Sequence, residues 1–197
     1  MNTPNKLTVL RVVLVPFFVL FLMLPQVPHH FLLAGLIFGA ASYTDHLDGM
    51  LARKNGQVTS FGKFMDPLAD KILVISALVC FVSLGLAPVW MVLLIIAREF
   101  MVTSIRLVAA SSGIVLAANG WGKAKTVTQM VAIIFILVVQ YLAELGELGI
   151  VPLLAESAML DAYLLAGNIL LLAATAASVI SGVVYLKQNW SVISEMK

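Results

Sequence analysis

Asp45, Asp48, Asp66 and Asp70 are four of the chain's five aspartates, and all fall in one stretch, TDHLDGMLARKNGQVTSFGKFMDPLAD, from Thr44 to Asp70. The stretch joins two segments apolar enough to span a membrane. Carboxylates are costly near lipid, and where they recur there they serve chemistry or ion binding. Four of them repel one another unless cations neutralise the charge. Hard divalent ions such as Mg2+ or Mn2+ suit an all-oxygen donor set. The residues therefore predict a metal site at a membrane surface. His46 lies between two of the aspartates, but on a helix it points about 100° from Asp45. It is expected behind the site or on the surface. His29 and His30 are expected on the opposite membrane face.

The spacing predicts how the carboxylates meet. Asp45 and Asp48 are three apart near the end of a helix, so they share a face. Gly49 and Ala52 continue the Asp45 face over the next turns and leave room for a bulky group. Asp66 and Asp70 are four apart on the following helix, with Gly62 one turn earlier. A connection of about ten residues makes the two helices antiparallel neighbours. A blander reading pairs the aspartates with Arg53, Lys63 and Lys71 to fix helix packing. Four carboxylates with interleaved glycines exceed what packing needs.

The elements that must position these groups are transmembrane helices. Of the 197 residues, 61% are hydrophobic and 11% charged, and mean hydropathy is +1.05. A soluble domain carries roughly 25% charged residues, so lipid must solvate much of this surface. Apolar runs recur at about Leu7–Leu24, Phe31–Ala52, Phe64–Leu86, Val89–Ala110, Val127–Ala143 and Leu160–Leu186. Each is close to the roughly 20 residues that span a bilayer. Breaks between them carry Pro25 and Pro28, Gly56, Gly85 with Pro88, Gly113, Gly120 with Gly122, and Gly146 to Pro152. The expectation is an all-α integral membrane protein of six transmembrane helices forming one catalytic domain over residues 1–197. Pro67 is expected in the first turn of the third helix, where a missing N–H is harmless.

Lys and Arg set the orientation. Lys6, Arg53, Lys54, Lys63, Lys123, Lys125, Lys187 and Lys197 fall on the loops that share a side with the N-terminus. The opposite loops carry none, and the last of them is read as holding Glu144, Glu147, Glu156 and Asp161. The positive-inside rule then places both termini and the aspartate stretch in the cytoplasm. The first apolar run lacks a small-x-small cleavage pattern and reads as a retained helix. Cys80 stands alone, so no internal disulfide framework forms, and it reads as a small buried apolar residue.

The stretch Asp45-x2-Asp48-Gly49-x2-Ala52-Arg53-x8-Gly62-x3-Asp66-x3-Asp70 resembles the signature of the CDP-alcohol phosphotransferase family at every fixed position. The six-span layout also fits that family. The resemblance implies transfer of a phosphatidyl or similar group from a CDP-linked donor to an alcohol, with release of CMP. It implies two divalent cations on Asp45, Asp48, Asp66 and Asp70, with Asp70 also the general base. It further implies a homodimer. The chemistry suits the residues: alcohol attack on a diphosphate builds charge that two metals can clamp, and a nearby carboxylate can take the hydroxyl proton.

Asn5, Thr8 and Arg11 form a stripe at the start of the first helix. Read alone, it is either a polar cap with a basic anchor or part of a ligand site. The resemblance places it by the CDP moiety of CDP-diacylglycerol, together with Asp48 and with Gly49, Ala52 and Gly62, whose small size allows close packing. Arg53 is expected by the diphosphate or paired with the aspartates. In LLIIAREFMVTSIR, Arg98 is adjacent to Glu99 but is read as pointing away from it, into a polar cavity. Arg106 is either a snorkelling anchor or part of the same wall, and Lys123 and Lys125 in GWGKAKT are either topology signals or the rest of it. Arg98, Arg106, Lys123 and Lys125 together suggest a phosphate-binding wall.

Such a wall favours a phosphorylated acceptor over serine, choline or ethanolamine. The segments MNTPNKLTVLRVVLVPFF, IIAREFMVTSIR and GWGKAKT resemble most those family members that use glycerol 3-phosphate. Expected partners are therefore CDP-diacylglycerol, glycerol 3-phosphate and membrane lipids, with no nucleic acid. The expected setting is a bacterial inner membrane, with the site at its cytoplasmic face. Competing readings are a cardiolipin or phosphatidylserine synthase of the same family, or a divalent-cation transporter. Transporters often show repeated halves with broken helices, and no internal repeat is visible here.

Overall fold

A computed structural model describes the backbone of residues 3–55, 60–111, 113–114, 116, 120–152, 157–190 and 193. Side chains are described at 5–44, 68–69, 71–110, 113–114, 116, 120–152, 158–190 and 193. Among the described residues six helices follow one another: α1 (Thr3–Leu22), α2 (His30–Asn55), α3 (Ser60–Ser83), α4 (Val89–Ser111), α5 (Gly120–Glu147) and α6 (Ser157–Gln188). No strand occurs among the described residues. The order and number of helices match the apolar runs. Their bounds differ in ways that matter for the site.

Only residues 56–59 separate α2 from α3, so the connection is shorter than the spacing of apolar runs predicts. Charged and polar residues prolong both helices beyond their apolar parts. Because α3 starts at Ser60, Pro67 lies inside it rather than in its first turn. Such a proline is tolerated in membrane helices when neighbours satisfy the freed carbonyl. Helix α5 runs on to Glu147 and α6 begins at Ser157, so Glu144, Glu147 and Asp161 belong to helices rather than to a loop.

Gly85, Gly113 and Gly149 act as helix stops, whereas Gly120, Gly122 and Gly146, also read among the breaks, lie within α5. Gly85 has φ 73°, a left-handed conformation that costs an L side chain. Its N–H bonds the carbonyl of Val82 at 3.1 Å, and Leu86 N–H bonds that of Phe81 at 2.8 Å. This pair of bonds is the Schellman motif, which satisfies carbonyls at a helix end. The same pair recurs at Gly113 and Gly149 after α4 and α5.

The core lies where α1, α2 and α3 meet α4 and α5. Phe18 and Leu22 of α1 pack with Phe38 and Ala41 of α2, Leu78 and Phe81 of α3, Ile95 of α4 and Ile133 of α5. The Phe18 and Phe38 rings sit 5.7 Å apart at 50°, a tilted arrangement that aromatic pairs favour. Small residues Ala34, Ala41 and Ala77 are wholly buried and let the helices approach closely.

The outside is also apolar. On α5, Val127, Val131, Ile134 and Val138 are exposed at helical spacing; on α6, Leu165, Ile169, Leu172, Ile180 and Val183 are. A helix apolar on every face is solvated by lipid. Asn5–Leu22, Gly120–Glu147 and Ala158–Gln188 are long and apolar enough to cross a membrane, and shorter apolar stretches lie at His30–Thr44 and Lys71–Ser83. The chain is therefore a multi-pass helical membrane protein.

One contact ties α5 to the start of α2. The carboxylate of Glu144 accepts from the N–H groups of His30 (2.9 Å) and Phe31 (3.2 Å). Helix α2 has no acid in its own first turn, and its unsatisfied N–H groups attract negative charge. Beside it, Tyr141 Oη lies 3.3 Å from His29 Nδ1. Glu144 is thus a buried cap supplied by a distant helix. Glu144→Ala is expected to lower stability by about 2 kcal/mol, the range for hydrogen bonds to a charged group. Equilibrium unfolding in detergent checks this, with Glu147→Ala, on an exposed position, as the comparison.

Candidate functional site

A cavity of about 690 Å3 lies between α1, α2, α3, α4 and α5. Its described walls carry six basic residues, Arg11, Lys71, Arg98, Arg106, Lys123 and Lys125, against one acid, Glu99. A concentration of positive charge in a partly apolar chamber raises the local concentration of anions.

The sequence places each cation by helical geometry. Arg98 and Glu99 are on α4, with Arg106 two turns further on. Lys123 and Lys125 are in the first turns of α5, because α5 starts at Gly120. Arg11 follows Asn5 and Thr8 on one face of α1, and all three are buried: Asn5 is 7% exposed, Thr8 1% and Arg11 1%. That burial removes the reading of this stripe as a water-facing anchor.

Arg98 does not point away from Glu99, as the sequence reading expected. Its Nη1 donates to Glu99 Oε1 at 3.0 Å, and its Nη2 donates to Ser181 Oγ of α6 at 2.7 Å. Long side chains adjacent on a helix can bend towards each other when both are excluded from lipid. Arg98 still lines the chamber. Lys125 Nζ also bonds Glu99 Oε1. One carboxylate therefore links α4 to α5, while Arg98 carries the link to α6. Lys125 is buried, which excludes a role as a topology signal alone, whereas Lys123 is exposed at the rim.

Helix α6 is shaped for this. Adding a Cβ at Gly182 would bring it 2.9 Å from Arg98 Cγ and 3.3 Å from Met101 Cε. Glycine is what lets α4 carry a large cation here. Tyr185, one turn beyond Ser181, is 1% exposed. Arg106 Nε donates to its hydroxyl at 3.3 Å, and the guanidinium carbon lies 5.2 Å from the ring centre. Arg106 is exposed, and a hydrogen bond and a cation–π contact hold it on Tyr185. Ser178, Ser181, Gly182 and Tyr185 form a helical stripe in an apolar span. That i, i+3, i+4, i+7 pattern was a readable signal that the sequence reading missed, as it missed Glu99.

Asp45 and Asp48 lie on α2, and Asp66 and Asp70 on α3. Their side chains, with those of Gly49, Ala52, Arg53 and Gly62, lie outside the described residues, as does that of His46. The two helices that carry them are in contact. Ser42, one turn before Asp45, and Lys71, next to Asp70, both line the chamber. Among the described residues no group of three or more His, Cys, Asp or Glu could hold a metal ion.

The fold and this chamber define a helical membrane protein with a cationic cavity beside an aspartate-rich helix pair. The sequence model described as CDP-alcohol phosphatidyltransferase matches residues 1–180, and the chain belongs to that family. A relative from Bacillus subtilis (strain 168), named CDP-diacylglycerol–glycerol-3-phosphate 3-phosphatidyltransferase, is 47% identical over 143 residues, covering 67% of this chain and 74% of the relative. A relative of the same name from Escherichia coli (strain K12) is 43% identical over 141 residues, covering 69% of this chain and 76% of the relative. In Mycobacterium tuberculosis (strain ATCC 25618 / H37Rv) a protein named "Probable phosphatidylglycerophosphate synthase" is 46% identical over 134 residues, covering 67% of this chain and 64% of that protein.

Removing the shared carboxylate should be severe. Glu99→Ala would leave Arg98 and Lys125 buried without a counter-charge, at a cost of about 3–5 kcal/mol. Lys125→Met alone should cost less, because Glu99 keeps Arg98. Thermal unfolding of the purified variants gives the ranking, and equal losses would contradict a shared carboxylate.

Proposed function

We propose that this chain transfers the phosphatidyl group of CDP-diacylglycerol to sn-glycerol 3-phosphate, giving phosphatidylglycerol phosphate and CMP. The observation that carries the reading is the cationic chamber against the aspartate-bearing helices, in a chain of this family. An acceptor that itself bears a phosphate explains why so many cations line one wall. Serine or choline would need none of them. The names of the relatives point the same way.

In this reading all six helices cross the bilayer, both termini are cytoplasmic, and the reaction occurs at the cytoplasmic face of a bacterial inner membrane. The donor keeps its acyl chains in lipid while its headgroup enters the chamber. Asn5, Thr8 and Arg11 of α1, with Asp48, Gly49, Ala52, Arg53 and Gly62, hold the CDP end. The glycines and alanine leave space for it at the backbone. Arg98, Arg106, Lys123 and Lys125 hold the acceptor phosphate. The chain works as a homodimer, as the family resemblance implies.

The all-oxygen donor set of Asp45, Asp48, Asp66 and Asp70 fits two hard divalent cations, Mg2+ or Mn2+. When bound, they would neutralise charge that builds on the diphosphate oxygens. The protein's own groups do the rest. The cationic wall orients the acceptor so that its hydroxyl faces the phosphatidyl phosphorus. Asp70 takes the hydroxyl proton as the new O–P bond forms and the bond to CMP breaks in line. Holding both reactants in one chamber converts a bimolecular step into an intramolecular one.

The test is CMP release by purified protein with CDP-diacylglycerol and, in turn, glycerol 3-phosphate, serine and inositol phosphate. Turnover is expected with glycerol 3-phosphate, and chelation of divalent ions should abolish it. Asp70→Asn should keep the thermal stability of the wild type and lose at least about 100-fold in kcat. Comparable use of serine would refute the acceptor, and wild-type turnover in Asp70→Asn would refute the base.

A further inference from the structure

Gln129 Nε2 on α5, Ser42 Oγ on α2 and Arg98 Nε on α4 are buried polar atoms of chamber-lining residues that have no hydrogen-bond partner among the described residues. Buried donors are nearly always paired, and one left alone costs roughly 1–3 kcal/mol. The three residues come from three different helices and line one chamber, so a ligand held in that chamber is the candidate acceptor. Gln129 is the most telling of the three. It is 3% exposed, and it follows Lys125 by one helical turn on the same face of α5. The next buried residues along that face are Ala132, Ile133 and Ile136. Gln129 is thus the last polar side chain on this face before the core, at the floor of the chamber. A leucine or methionine of similar size would fill the position with no idle amide.

We propose that Gln129 is a substrate-binding residue whose Nε2 donates a hydrogen bond to a phosphate oxygen of the acceptor alcohol. The inference rests on the acceptor proposed above. The nucleotide end of the donor is assigned to α1–α3, whereas Gln129 shares its face with Lys125 of the phosphate-holding wall. The nearby Lys125 ammonium already bonds Glu99, so a neutral donor beside it supplies directional contact without adding repulsion between cations. A phosphate oxygen accepts several such bonds at once, and charge on the acceptor strengthens each of them. The contact selects for an acceptor with its phosphate seated at the chamber floor.

Steady-state kinetics on full-length protein in detergent micelles test this. Gln129→Met keeps the volume and removes the donor. It should raise KM for glycerol 3-phosphate by about tenfold or more, the worth of one hydrogen bond to a charged group. KM for CDP-diacylglycerol and the melting temperature should stay near wild type. Gln129→Glu keeps the shape but sets a carboxylate against the phosphate, and should raise the same KM further. Gln129→Asn should recover part of the loss. Unchanged KM for glycerol 3-phosphate in both the Met and Glu variants would overturn the assignment. So would a parallel rise in both KM values with a falling melting temperature, which marks a structural role. A wild type that turns over no glycerol 3-phosphate would overturn the acceptor reading itself, and it is recognised before any variant is compared.

Discussion

A single carboxylate holds the charged half of this molecule together. Glu99 is buried in a helix that must coexist with lipid, and it accepts from Arg98 and Lys125 at once. Any one of these groups alone would be expensive at that depth. Together they satisfy one another, and Arg98 passes the connection to Ser181 on α6. The result fixes α4, α5 and α6 around one chamber wall by polar contacts, where hydrophobic attraction between lipid-solvated helices is weak. The same network leaves the guanidinium and ammonium at the edge of the cavity rather than folded against lipid.

The two ends of the bundle use unlike means. Near the chamber, α4 and α6 approach closely because Gly182 has no side chain to meet Arg98, and Tyr185 supports Arg106 from behind. At the start of α2, Glu144 caps the helix and ties it to α5. Between the ends apolar side chains make the core contacts, as at Phe18 and Phe38. Polar order is thus concentrated at the helix N-terminus that needs capping and at the wall that needs charge.

Helix number, order and stops were legible because hydropathy and glycine act locally. Gly85 and Gly113 end helices through backbone conformations that other residues resist, so they can be read without a partner. Helix length was not so legible. Polar residues at the ends of α2, α3 and α5 continue the helices beyond their apolar parts, which shortened the connection before Ser60 and drew Glu144 into α5. The cations were legible as types, since Arg and Lys within apolar runs stand out. Their partners were not, because neighbours in sequence on a helix point apart until their long side chains bend, and Ser181 lies 83 positions from Arg98. The polar stripe on α6 carried a helical period, and only the near-neutral character of Ser and Tyr in an apolar run hid it.

Charge distribution in the chamber bears on how two phosphate-bearing substrates can share it. Six cations against Glu99 give the described walls a strong positive bias, yet the bias is uneven. Arg98 and Lys125 are partly neutralised by Glu99, and Arg106 is held on Tyr185. Lys123 is at the exposed rim. Lys123 and Arg106 are exposed, whereas Lys125 is buried. Exposed charge at an entrance raises the rate of encounter, whereas fixed donors deeper in set orientation. Orientation matters most for the reactant whose hydroxyl must face a phosphorus atom, because misalignment by a single ångström can cost about 100-fold in rate. In the proposed reaction, a wall locked by Glu99, Ser181 and Tyr185 would therefore suit positioning of a small acceptor better than holding a lipid headgroup, whose acyl chains already restrain it in the bilayer.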